Sequence, residues 1–149
     1  MKLEEEIKQS NFESEHQKAI LNIMVTNNWI SSNQTKLLKN FDLTPPQYNV
    51  LRILRGAKGK PIMLCDISSR MLDKMSNATR LVEKLKQKGL VVRELCEFNR
   101  RQVDISLTLE GQKLLSEIDA PMREMSQIFE IITPKEATNL NAILDKLRQ

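Results

Sequence analysis

Between Lys74 and Arg101 the chain carries eight basic side chains (Lys74, Arg80, Lys84, Lys86, Lys88, Arg93, Arg100 and Arg101) and three acidic ones (Glu83, Glu94 and Glu97). The local excess of five is larger than the +4 of all 149 residues, so the rest of the chain sums to −1. Such a concentration of cations in a near-neutral protein suits a polyanion, because each phosphate it neutralises releases condensed counterions. A solvated helix face would carry the same charges, and charge alone does not separate the two. Side-chain type adds a second signal. The guanidinium fork of Arg80 matches guanine O6 and N7, and the amide of Asn77 matches adenine N6 and N7. Ser76 and Thr79 complete this polar set, while Lys84 and Lys88 lie further along, where phosphate contact is expected.

No other constellation points to catalysis or to a metal. His16 is the one histidine and lies in a polar stretch without a cysteine within ten residues, so neither a positioned base nor a ligand set is suggested. Cys65 and Cys96 stand 31 positions apart with no CxxC motif, and are expected to be reduced packing thiols in or near the core. The acidic run Glu4 to Glu6 reads as a solvated or frayed terminus. The four glycines, at 56, 59, 89 and 111, read as punctuation rather than a phosphate-binding loop. An enzyme is therefore not expected, nor is a cofactor.

The elements that must position the basic segment follow from periodicity. Apolar residues from Ile20 to Leu38 fall near helical spacing, so Glu13 to Lys39 reads as one long helix. Thr44, Pro45 and Gln47 spell a capping box with proline at the first helical position, opening a helix that Gly56 and the cluster Lys58, Gly59, Lys60, Pro61 end. Ile62 and Met63 suit a very short strand. Leu64, Ile67, Ser68 and Met71 then repeat at helical spacing over about two turns. After a brief connection a second short helix follows, with Ser76 as its cap, Ala78, Leu81, Val82 and Leu85 as its buried stripe and Gly89 as its stop. Two short, tightly joined helices make a helix-turn-helix candidate.

Past Gly89 the period becomes extended. Leu90 to Cys96 is rich in Val and Leu, and Val103, Ile105 and Leu107 alternate with polar residues, so a hairpin is predicted with Asn99, Arg100 and Arg101 at its basic tip. Thr108 caps a long helix through Ile128, and Thr133, Pro134 and Glu136 open a last one carrying Leu140, Ile143, Leu144 and Leu147. Helix-turn-helix followed by a basic hairpin is the order of a winged helix. Its second helix would enter the major groove, and the tip would reach a neighbouring minor groove or its phosphates.

Length and composition agree with one globular domain: 40% of the residues are apolar and 28% charged. The longest apolar stretch, Ala19 to Val25, is interrupted by Asn22 and falls short of the roughly 20 residues a membrane span requires. The opening MKLEEEIKQS has neither the basic start nor the apolar middle of a secretory signal, so a cytoplasmic protein is expected.

Three stretches carry a family resemblance: LTPPQYNVLRIL at 43–54, ATRLVEKLKQKGLVVRE at 78–94 and NRRQVDISLTLEG at 99–111. They resemble the successive signatures of the MarR family of bacterial transcriptional regulators. The last is the most specific, since the family pattern Asp-x-Arg, five residues, Leu-Thr, two residues, Gly is met at Arg101, Leu107, Thr108 and Gly111. Asn99 stands where the family has an aspartate, which removes an ion pair that would hold a wing arginine and predicts a tip that is more basic and less firmly oriented.

The resemblance implies a mainly α fold with a small β-hairpin wing. Residues 42–108 would be the DNA-binding winged helix-turn-helix, and 1–41 with 109–149 the helical dimerisation portion of a single MarR-like chain. It further implies a homodimeric repressor bound to a pseudo-palindromic operator in double-stranded DNA and relieved by a small aromatic or phenolic effector. The DNA-binding set is then Ser76, Asn77, Thr79, Arg80, Lys84, Lys88, Asn99, Arg100 and Arg101. Apart from the resemblance, the apolar stripe of Leu140, Ile143, Leu144 and Leu147 exceeds what one small winged helix could cover, which favours mutual burial in a dimer. Met24, Trp29, Phe41 and Tyr48 suit either an effector cavity or ordinary core. The competing class is a winged-helix module for protein contacts, and salt-dependent DNA binding separates the two.

Overall fold

The computed structural model describes residues 1–99 and 101–149; Arg100, one of the residues assigned to the wing tip, lies outside them. The chain begins with a single helical turn α1 (Leu3–Glu6) and the long helix α2 (Glu15–Lys39). Ser14 caps α2 by accepting the Gln17 N–H at 3.1 Å, so the helix begins at Glu15, two residues inside the expected start. The acidic terminus is not simply solvated. Leu3 is buried, and Glu4 pairs with Lys18, whose ammonium also lies over the Phe12 ring. The hydrogen bond from Lys18 holds the Glu4 carboxyl below the usual carboxylate range and raises the Lys18 ammonium in return.

The expected capping box opens α3 (Pro45–Gly56): Thr44 Oγ1 accepts the Gln47 N–H, and Gln47 Oε1 accepts the Thr44 N–H at 3.1 Å. This helix supplies much of the core, with Tyr48, Val50, Leu51 and Leu54 buried. Against it pack α4 (Leu64–Arg70), through Ile67, and α5 (Ala78–Gln87), through Val82 and Leu85. Each such aliphatic side chain, fully buried, contributes about 1.5–3 kcal/mol, enough for short helices to hold their places.

Strand β1 (Ile62–Met63), directly before α4, joins β2 (Val91–Leu95) and β3 (Val103–Leu107) in an antiparallel sheet of order β1-β3-β2. Ile105 is central: it stands opposite both Ile62 and Arg93, and its side chain is fully buried. The sheet thereby ties the wing to the helix-turn-helix from both sides. Gly89, at φ +73, ends α5 in the left-handed conformation that only glycine adopts freely, as its position in the sequence predicts. Thr108 caps α6 (Leu109–Gln127), which runs on past Pro121 into a 3-10 turn (Ile128–Ile131). The second capping box, Thr133 with Glu136, opens α7 (Pro134–Leu147). There the Thr133 backbone N–H and hydroxyl, both donating to Glu136, hold its carboxyl below the ordinary range.

Two expectations are corrected. Cys65 is exposed, because α4 turns Ile67 inward and leaves the position two residues earlier on the outer side; Cys96, at the end of the wing, is half-buried. Ser76 is not the cap of α5. Its N–H closes a turn onto the Asp73 carbonyl, and Asn77 takes the cap position, its Oδ1 accepting the Arg80 N–H at 3.0 Å.

The exposed apolar side chains of the terminal portions are Met1, Ile20, Ile23, Met24 and Trp29 up to the end of α2, Leu109 at the start of α6, Ile128, Phe129 and Ile131 in the 3-10 turn, and Leu140, Ile143 and Leu147 on α7. Leu144 is half-buried. Trp29 meets Phe129 edge-on with ring centroids 6.0 Å apart. Among the described residues, no helix is long and apolar enough to cross a membrane.

Candidate nucleic-acid interface

Helix α5 has a sharply divided surface. Ala78, Val82 and Leu85 point into the core, which leaves Asn77, Thr79, Arg80 and Lys84 exposed along one side, with Glu83 half-buried among them. These five residues line a shallow depression of about 540 Å³. A second hollow of about 340 Å³ adjoins it, where Thr44, Pro46 and Gln47 at the start of α3 meet Ser76, Asn77, Arg80 and Lys84. The start of α3 thus shares a surface with the start of α5, which no local signal announces because 30 residues separate Pro46 from Ser76. Glu83 turns toward Arg93 on β2 at 4.0 Å. Among the described residues neither Arg80 nor Lys84 pairs with a carboxylate, so both cations are available to a ligand.

Lys88 behaves differently. It caps the far end of α5, and its ammonium is held by the backbone carbonyl of Asp42 and, at 3.1 Å, by the Asp42 carboxylate. Lys88 thus differs from Arg80 and Lys84 in having a carboxylate neighbour at the surface.

The wing tip spans Cys96 to Gln102, beyond the last strand pair Leu95 and Val103. Its backbone is closed by three hydrogen bonds: Cys96 N–H to the Gln102 carbonyl at 3.0 Å, Gln102 N–H to the Asn99 carbonyl at 2.8 Å and Asn99 N–H to the Cys96 carbonyl at 3.3 Å. Asn99 Oδ1 adds a fourth by accepting the Arg101 N–H at 3.1 Å. Asn99 thus keeps an acceptor for a neighbouring backbone N–H, although as an amide it brings no charge to hold a guanidinium. Arg101 is exposed, and its guanidinium is not engaged by Asn99. The structure gathers Asn77, Thr79, Arg80 and Lys84, with half-buried Ser76 at their edge, into one patch; Asn99 and Arg101 form another, carried by the hairpin that packs on α5.

The Asn77 cap separates two roles that substitution can distinguish. Asn77→Ala removes the acceptor and is expected to cost about 1 kcal/mol of stability, whereas Asn77→Asp keeps it and leaves stability within a few tenths. If this surface holds DNA, both should also weaken that binding, the second because a carboxylate would face phosphate. Equal denaturation midpoints for wild type and Asn77→Ala would exclude the capping role.

Two short helices joined by a turn, a three-stranded sheet and a basic hairpin define a winged helix-turn-helix protein. A family model described as MarR family matches residues 43–103. The repressor MdtR of Bacillus subtilis is 31% identical over 120 residues, covering 78% of this chain and 76% of MdtR. The repressor MprA of Escherichia coli is 25% identical over 116 residues, which are 77% of this chain and 66% of MprA, just under two thirds of its length. A mutant MarR of E. coli, solved as a complex with operator DNA, shares the fold with a TM-score of 0.78 at 22% identity, over 93% of this chain and 99% of that one. The chain belongs to the MarR family.

Proposed function

We propose that the protein is a sequence-specific DNA-binding transcriptional regulator, a homodimeric repressor of a pseudo-palindromic operator that a small aromatic or phenolic effector releases. The observation that carries this reading is the exposed side of α5, where Asn77 and Thr79 stand beside Arg80 and Lys84, whose charges no carboxylate among the described residues engages. Its relatives MdtR and MprA bear the names of transcriptional repressors, and MarR has been solved with operator DNA. Residues 42–108 would hold the DNA, with the terminal helices pairing two copies. The effector would sit beside α2, where Met24 and Trp29 remain exposed, because Tyr48 is buried and Phe41 packs on the core. Such a regulator acts in the cytoplasm.

Binding isotherms on a duplex selected from a random pool, and on a scrambled one, test this at several salt concentrations. Arg80→Ala should lower the ratio of specific to non-specific affinity by about 5- to 150-fold, the span of 1–3 kcal/mol for a lost bidentate contact. Lys84→Ala should weaken both duplexes alike and reduce the salt slope by about one unit. A wild-type protein without salt-dependent binding to any duplex would instead be a module for protein contacts.

A further inference from the structure

The exposed apolar side chains fall into three sets. One lies on the terminal segments and the 3-10 turn, where a second copy would cover it, and another on the wing, at Val92, Leu95 and Phe98. The third is Leu72 and Met75, in the turn between α4 and α5; they are 86% and 91% exposed. Leaving a methionine in water forgoes about 1.5–3 kcal/mol of burial. The turn that displays these two side chains is nonetheless well held. Leu72 N–H donates to Asn49 Oδ1 and Met75 N–H to Asp73 Oδ1, each at 2.9 Å, Ser76 N–H donates to the Asp73 carbonyl, and Lys74 donates to the Ser69 carbonyl.

We propose that Met75, with Leu72 in the same turn, reads the 5-methyl group of thymine in the major groove. Met75 immediately precedes Ser76 and the cap residue Asn77, at the end of α5 whose residues reach base edges in a helix-turn-helix. Lys74 and Arg80 flank it in sequence with positive charge that draws the duplex to this end. Phosphates and the polar base edges offer nothing to a thioether. Thymine alone among the four bases presents an apolar group in the major groove, and a flexible, polarizable methionine adapts its end to a methyl group. The contact would also supply, in the bound state, the burial that Met75 lacks in the free protein.

The inference rests on the DNA-binding reading, and the test separates the two. The probe is the duplex recovered from a random pool, remade with uracil in place of each thymine in turn, a change that removes one methyl group and leaves every hydrogen-bonding atom. Wild type should lose about fourfold in affinity per half-site at one thymine position, and about fifteenfold when both half-sites are changed. Met75→Ala should bind the thymine duplex with a comparable loss and be indifferent to uracil there, while Met75→Leu keeps most of the sensitivity. At 91% exposure the substitution leaves the fold intact, so the loss reads binding. The proposal is overturned if wild type binds every uracil duplex as it binds the thymine duplex, or if Met75→Ala keeps the full uracil penalty. Absence of selective binding to any duplex would overturn the DNA-binding reading along with it.

Discussion

Gly111→Ala should destabilise the protein by about 3 kcal/mol and lower its melting temperature by about 6–12 °C, although the substitution adds one methyl group inside a helix. A Cβ at this position would lie 2.3 Å from the Leu90 carbonyl oxygen and 3.2 Å from Leu107 Cδ2. The carbonyl has no freedom to yield, since it accepts the Thr108 N–H at 3.1 Å, and Thr108 is itself fixed. The Thr108 hydroxyl donates to the Gly89 carbonyl at 2.7 Å and accepts the Gly111 N–H at 3.0 Å. The start of α6 is thus pressed against the turn that ends α5, and alanine must lift the helix or break the cap. Gly56, with nothing within 4 Å of its would-be Cβ, provides the control. Gly56→Ala should be neutral or stabilising by up to about 1 kcal/mol. Calorimetry of the three proteins at one concentration, which holds any assembly effect constant, decides the matter. A Gly111→Ala protein melting with wild type would show that α6 does not approach Leu90 this closely.

The second large effect concerns assembly. Ile143→Asp is expected to leave a folded monomer with operator affinity reduced on the order of 100-fold, because a palindrome then meets two independent half-site binders instead of one linked pair. Ile143 is 58% exposed in the single subunit, with Leu140 and Leu147 exposed beside it on α7. A carboxylate there costs the lone chain little, whereas in an apolar interface it would be buried without a partner. Leu144 is a less clean choice, since it is half-buried within the subunit and its replacement would mix folding with assembly. Sedimentation and DNA titration on the same samples provide the check. A variant that sediments as a dimer and binds the palindrome like wild type would remove α7 from the interface.

What the sequence by itself determined are the features made within four residues of chain. Thr44 with Gln47 and Thr133 with Glu136 form their capping boxes because an i to i+3 reach is built into a helix start, whatever surrounds it. The alternation of Val103, Ile105 and Leu107 and the stop at Gly89 were equally legible. So was the division of α5, since Ala78, Val82 and Leu85 at helical spacing leave Asn77, Thr79, Arg80 and Lys84 on the outside.

Only the tertiary structure decided the rest, because it turns on pairings between distant residues or on competition between near-equal local options. Ser76 and Asn77 are both competent caps, and it is Asn77 whose side-chain oxygen meets the Arg80 N–H, because α5 begins at Ala78. That Lys88 pairs with Asp42, 46 positions earlier, is also visible only in the fold. The pairing of Ile62 with Ile105 and the approach of Gly111 to the Leu90 carbonyl likewise depend on closing long loops. The exposure of Met75 is of the same kind: its side chain is apolar, but whether it is buried depends on where the held turn at Asn49 and Asp73 aims it, and that direction belongs to the packed chain.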